Sequence, residues 1–142
     1  MKSAVRTLLA VVAGMALAFA LVVAVEFFSA VVHPFPANFD GSIPEHVKRY
    51  PDWVLAVVVP MWGATAAAAA WVASRIGGRL AGAIVTLLLA SALAFNLSML
   101  PYVMWFKIAM PAAFFVACLL GIRHGRRGPL PGAATDAALR SH

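Results

Sequence analysis

Apolar residues fall into four long runs, and nearly all charge is pushed into the short stretches between them. A bilayer core is crossed by about 20 apolar residues in helical form. The runs near 7–32, 53–74, 80–100 and 102–122 each meet that length. Between the first two lies the longest polar connection, "HPFPANFDGSIPEHVKRYPDW", residues 33–53. In it Ser42 and Glu45 have capping-box spacing, and Pro44 suits a first helical turn, so a short helix is expected over 43–50. Pro101 separates the third and fourth runs, and the last helix is expected to begin there at once. The pattern predicts an all-α fold: a transmembrane four-helix bundle over 1–122, with a longer outer loop between spans 1 and 2. The segment 123–142 is rich in Gly, Pro and charge and has little to bury, which predicts a mobile tail.

Composition sharpens this reading. The 142-residue chain is 63% hydrophobic and 11% charged. Average soluble domains are roughly 45–50% apolar and about 25% charged. A water-soluble fold of this length cannot hide so much apolar side chain, so lipid is the expected solvent. The net charge of +6 does not indicate nucleic acid in such a chain, because in membrane proteins the position of each basic residue carries the information. The single cysteine, Cys118, excludes an intrachain disulfide and offers no metal-ligand spacing.

Basic residues set the expected orientation. In a four-span topology Lys2, Arg6, Arg75, Arg79, Arg123, Arg126, Arg127 and Arg140 fall on one side, Lys48 and Arg49 on the other, and Lys107 within a span. The positive-inside rule then places both termini in the cytoplasm, with the protein in the cell (inner) membrane. Lys2 and Arg6 before an apolar stretch imitate a signal peptide, but the run is too long for a typical h-region, so an uncleaved first span is expected. Tyr50, Trp53, Tyr102 and Trp105 sit near the predicted outer ends, as interfacial aromatics do.

Small residues recur at helical spacing. Span 3 carries Gly78, Gly82, Thr86, Ala90, Ala94 and Ser98. Span 1 carries Ala10, Gly14 and Ala18; span 2 carries Gly63 and Ala67; span 4 carries Ala109, Ala113, Ala117 and Gly121. Lipid tails are as apolar as leucine, so membrane helices associate through close approach at such positions. Gly14, Gly63, Gly78 and Gly82 are the expected packing glycines. Pro60 and Pro111 lie inside spans and are expected to kink them.

Against this background one carboxylate stands out. Extending the Ala10, Gly14, Ala18 row by fours leads through Val22 to Glu26, about six residues inside the outer end of span 1. A charge at the bilayer centre costs about 2.5–3.5 kcal/mol on insertion scales, less toward the interface, so Glu26 is expected to face protein, a counter-charge or water. His33 returns to nearly the same face one heptad later. Asn96 and Lys107 lie at similar depth in spans 3 and 4. These residues define a candidate outer-leaflet polar cluster of Glu26, His33, Asn96 and Lys107, with a Glu26–Lys107 ion pair as its sharpest form. Lys107 lies about 200° around its helix from the Ala109 stripe, which weighs against that pair, and a lysine stem can instead reach the interface. His33, Asp40, Glu45 and His46 match no recognised metal site, and the histidines are too near the span ends for bis-histidine haem.

The glutamate of span 1, the proline-bearing "HPFP" and the later segment "YPDWVLAVVVPMWGATA" are similar to those of a family of small bacterial four-span integral membrane proteins of no known activity. The resemblance covers residues 20–75 best and implies the four-helix architecture alone. Four spans with a glutamate in the first also characterise the small multidrug-resistance transporters. This chain is longer, has a sizeable outer loop and places its glutamate near the outer end, so that function is not carried over. No nucleophile–base pair, phosphate loop or metalloprotease motif is present. The sequence therefore points away from an enzyme and toward a structural, accessory or self-associating membrane protein, without a cofactor. Its expected partners are the lipid bilayer, further copies of itself or a larger membrane complex. The alternative is a small proton- or cation-responsive transporter or channel using Glu26.

Overall fold

The computed structural model describes residues 2–35 and 41–125. Among them the chain is all helical: α1 (Lys2–Val32), α2 (Ile43–Lys48), α3 (Asp52–Gly77), α4 (Arg79–Met99) and α5 (Met104–His124). Four of these, α1, α3, α4 and α5, are long and apolar enough to cross a membrane. The short helix α2 joins the first two, as the capping spacing predicts, and the Glu45 carboxylate accepts a hydrogen bond from the Ser42 backbone N–H at 3.0 Å. It ends at Lys48, two residues short of the expectation. Of the expected tail, Arg123 and His124 instead complete the last turn of α5, and residues 126–142 lie outside the described residues, as does Asp40.

The centre of the bundle is α3, which packs against α1, α4 and α5; α4 also meets α1 and α5, while the backbones of α1 and α5 stay apart, with no Cα pair within 8 Å among the described residues. The connections fix this up-down order. Gly78 alone separates α3 from α4, with φ +83°, a backbone conformation that side chains with a Cβ rarely adopt. Pro101 lies in an extended linker and not in the first turn of the last helix, so α5 starts at Met104. At the end of the bundle away from α2, Arg6 donates to the Ile76 carbonyl in the last turn of α3, where carbonyls run out of partners within the helix.

Residue size changes along the bundle axis. Away from α2 the contacts are made by Ala10, Ala69, Ala73 and Ala81, all fully buried, with glycines among them. A Cβ on Gly14 would lie 3.0 Å from the Ala69 carbonyl oxygen. One on Gly82 would strike the Ser74 hydroxyl, and one on Gly121 the Ala67 carbonyl. The backbones therefore approach closely there, as small-residue packing requires. Toward α2 the core is built from Val54, Leu55, Leu93, Phe106 and Met110.

Two of the expected packing glycines behave differently. Gly63 is buried, but a Cβ there would meet Ala117 at an ordinary 3.7 Å, so it faces α5 without demanding a close approach. Gly78 has nothing within 4 Å of its Cβ position; it is a turn residue and not a packing one. The same correction applies to the rest of its row. Gly82 is buried, Thr86 and Ala90 are half-buried, and Ala94 and Ser98 are exposed. A four-residue step advances about 40° beyond a full turn, so five steps carry a row roughly 200° around the helix. The face that packs follows Ala81, Val85, Leu89 and Leu93 instead.

Candidate functional site

The inward row of α1 drifts for the same reason. Ala10, Gly14 and Ala18 are buried, but Val25 and Ser29 then take the buried positions. Glu26 is left at the margin of the packed face and is exposed at the level of the whole residue. Its side chain nevertheless lines a cavity of about 40 Å³ at the α2 end of the bundle. A water molecule needs about 10–15 Å³ by the same measure, so the cavity holds a few waters or one small ion and no drug-sized molecule.

All four long helices contribute to the wall. Glu26 and Ser29 come from α1, Val58 and Trp62 from α3, Asn96 and Leu97 from α4, and Phe106 and Met110 from α5. Tyr50 and Tyr102 enter from the linkers before α3 and before α5. The polar groups thus include a carboxylate, a carboxamide, a hydroxyl and two phenols, set among apolar and aromatic walls. Glu26 makes no hydrogen bond or ion pair with any described residue. Its negative charge is felt at both phenols. Burial and then the Glu26 carboxylate push the Tyr50 hydroxyl above its ordinary value. The same causes, with Tyr50 added, push Tyr102 up to about 12. Both phenols therefore remain protonated donors at neutral pH.

The structure brings two of the four candidate residues to the cavity wall, Glu26 and Asn96. Lys107 is not on that wall and makes no ion pair with Glu26. His33 lies above the wall, one residue beyond the end of α1, and accepts no part in lining it. Its ring stacks on His46 of α2 with centroids 4.6 Å apart and 24° between planes. His46 also stacks on Phe35 at 3.8 Å, and both histidines contact the Tyr50 ring, at 4.8 and 5.5 Å. Tyr50 is thus shared by the ring stack and the cavity wall.

Sequence reasoning placed Tyr50 and Tyr102 as interfacial aromatics and missed their second role. The signal available was that both tyrosines of the chain fall at the level of the lone intramembrane carboxylate. His46 was considered only as a metal ligand. Among the described residues no group of three His, Cys, Asp or Glu side chains converges on a common point.

No family model, no curated protein and no solved structure gives a significant match to this chain.

Proposed function

We propose that this chain is a multi-pass integral membrane protein, with both termini cytoplasmic, that holds a proton or a small monovalent cation at its outer mouth. The reading places α2 on the extracytoplasmic side, following the distribution of basic residues. It takes the protein to work by binding and not by catalysis. The observation that carries it is the convergence of Glu26 and Asn96, from two different helices, on one cavity whose remaining polar wall is Tyr50, Tyr102 and Ser29.

The chemistry follows from those groups. A carboxylate in low-dielectric surroundings is costly unless a proton or a cation neutralises it. The carboxamide and hydroxyl oxygens offer further acceptors, and Trp62, Tyr102 and Phe106 add aromatic rings to the wall, a residue type whose π face attracts a cation. An ammonium or alkali ion satisfies all three kinds of group at once.

The test is titration of the purified protein with ammonium, sodium and potassium chloride, reading the fluorescence of Trp62 as the difference between the parent and Trp62→Phe. A saturable response is expected that is lost in Glu26→Gln while the thermal midpoint in detergent is kept. An unchanged response in Glu26→Gln overturns the reading. The second reading, self-association or docking on a larger complex, is supported by Ala94 and Ser98, small residues of α4 left exposed on the single chain. A monomer by light scattering in mild detergent counts against the first form of it.

A further inference from the structure

The end of the bundle away from α2 carries a second recess. It is an open groove of about 280 Å³ on the surface between α3 and α5. Its origin lies in residue size. A Cβ on Gly121 would strike the Ala67 carbonyl, and one on Gly125 would lie 2.7 Å from the Trp71 carbonyl oxygen, so the two backbones touch. Ala67, Ala68 and Gly121 then make a floor with little side chain to fill it, while Trp71, Leu120 and His124 stand around it. The groove is one turn long, 67–71 on α3 and 120–124 on α5, or roughly 6 Å. A partner helix seats on small residues repeated over several turns. A single recess of this length suits a flexible hydrocarbon chain instead.

Depth and charge narrow the occupant further. Trp53 and Trp71 are both exposed, at 57% and 43%, and stand 18 positions apart in α3. That is five full turns, so they share a face and lie about 27 Å apart, close to the thickness of a hydrocarbon core. Trp71 therefore sits at head-group level, where tryptophan is enriched. Its indole N–H has no partner among the described residues. His124 reaches the groove from the last turn of α5. Its Nδ1 lies 2.8 Å from the Leu120 carbonyl, which can only accept, so Nδ1 carries the proton and Nε2 is left for an outside partner. Charge at this end is of one sign. Arg6, Arg79 and Arg123 lie here, whereas the described acidic residues, Glu26, Glu45 and Asp52, all lie in the other half of the bundle.

We propose that the α3–α5 groove binds one anionic phospholipid, with an acyl chain on Ala67, Ala68 and Gly121 and the phosphate at the rim beside Trp71 and His124. This rests on reading the chain as a membrane protein and not on the ligand of the Glu26 cavity. The floor and Leu120 match the apolar chain. The indole N–H and the Nε2–H of a charged His124 donate to phosphate oxygens, and charge-assisted bonds of the second kind are the stronger. Arg123, next in sequence to His124, adds positive charge at the same level. A zwitterionic lipid offers the same chain and phosphate but carries its own cation, which a basic surface does not attract. The site therefore selects lipid of net negative charge.

The experiment reconstitutes the full chain in phosphatidylcholine vesicles that contain a small fraction of lipid brominated on its acyl chains, either phosphatidylglycerol or phosphatidylcholine. Bromine quenches tryptophan on contact, and the Trp71 signal is read as the difference between the parent and Trp71→Phe. Quenching by the brominated phosphatidylglycerol is expected to exceed that by the brominated phosphatidylcholine about fivefold, the effect of one basic residue at an anionic surface. Arg123→Gln with His124→Gln is expected to bring the two lipids level. Ala68→Leu, which fills the groove and keeps every charge, is expected to do the same. Equal quenching in the parent overturns the proposal, and so does a preference that survives Ala68→Leu, which marks general attraction to a basic surface. If a second copy or another segment of this chain fills the groove, neither brominated lipid quenches Trp71, and the proposal falls. Native mass spectrometry of the unsubstituted protein, from detergent holding equal amounts of the two unbrominated lipids, needs no variant. Phosphatidylglycerol is expected to be retained in similar excess, and equal retention overturns the proposal as well. Flotation separates the two ideas. A chain that floats with the vesicles but shows no preference loses the groove alone, and one that does not float overturns the membrane reading with it.

Discussion

The indole N–H of Trp105 donates to the Asp52 carboxylate at 3.1 Å, joining the first turn of α5 to the first turn of α3. Tyr50 and Leu55 near the start of α3, and Tyr102 and Phe106 near the start of α5, line the cavity, and Asp52 also places negative charge at the positive end of the α3 dipole. The bond is exposed, so its worth is modest, about 1 kcal/mol. Trp105→Phe is expected to lower the thermal midpoint in detergent by a few degrees and leave the helix content by circular dichroism unchanged. Asp52→Ala should cost somewhat more, since it loses the dipole interaction too.

The glycines divide into those that touch and those that do not. Gly82→Leu drives a side chain into Ser74 and α3, and Gly121→Val drives one into the Ala67 carbonyl. Overpacking of this kind costs about 1–3 kcal/mol or more; at Gly121 the obstacle is backbone, and at Gly82 it is the Ser74 hydroxyl with the Ala70 carbonyl also close. Both variants are expected to aggregate, or to lose a sharp peak, in size-exclusion chromatography. Gly63→Ala fits its site at ordinary contact distance and should match the parent or exceed it slightly, since alanine favours helix. Gly78→Ala meets no obstacle but is strained by φ +83°, so a loss of about 1 kcal/mol is expected without aggregation.

Tyr102 offers a spectroscopic check on the cavity. With its hydroxyl pushed up to about 12, one phenol should ionise well after an ordinary tyrosine in an ultraviolet pH titration. Tyr102→Phe should delete that late step. Glu26→Gln should move it earlier without restoring the usual value, because burial is the larger cause. An acid whose pKa is raised on folding stabilises the fold fully below its free value and ceases to do so as pH rises through the folded one. Loss of thermal stability is therefore expected between about pH 10 and pH 12 in the parent, and less of it in Tyr102→Phe.

Four long helices and the short α2 were legible in the sequence because length, apolarity and capping are local properties. The small residues of spans 2 and 4 were legible as packing positions, and Ala113, Ala117 and Gly121 do face Gly63 and Ala67, but which helix meets which was not. What failed was extrapolation of a four-residue row. It holds for Gly82 and for Ala10 to Ala18, then drifts off the packed face, which misplaced Ala94 and Ser98 and moved Glu26 to a margin. The cavity was half legible. Depth along each span brought Glu26 and Asn96 together, but depth alone also admitted Lys107, which the structure leaves off the wall. Tyr50 and Tyr102 sit in linkers, outside any helical periodicity, so no repeat could point them inward.

The gradient from alanine and glycine at one end to large side chains at the other also limits how this molecule can move. Alanine and glycine have no rotamers to swing aside. Where Ala10, Ala69, Ala73 and Ala81 meet, a passage opens only if whole helices part, whereas the α2 end can rearrange ring by ring. The bundle is thus stiff at its alanine end and adaptable around the Glu26 cavity.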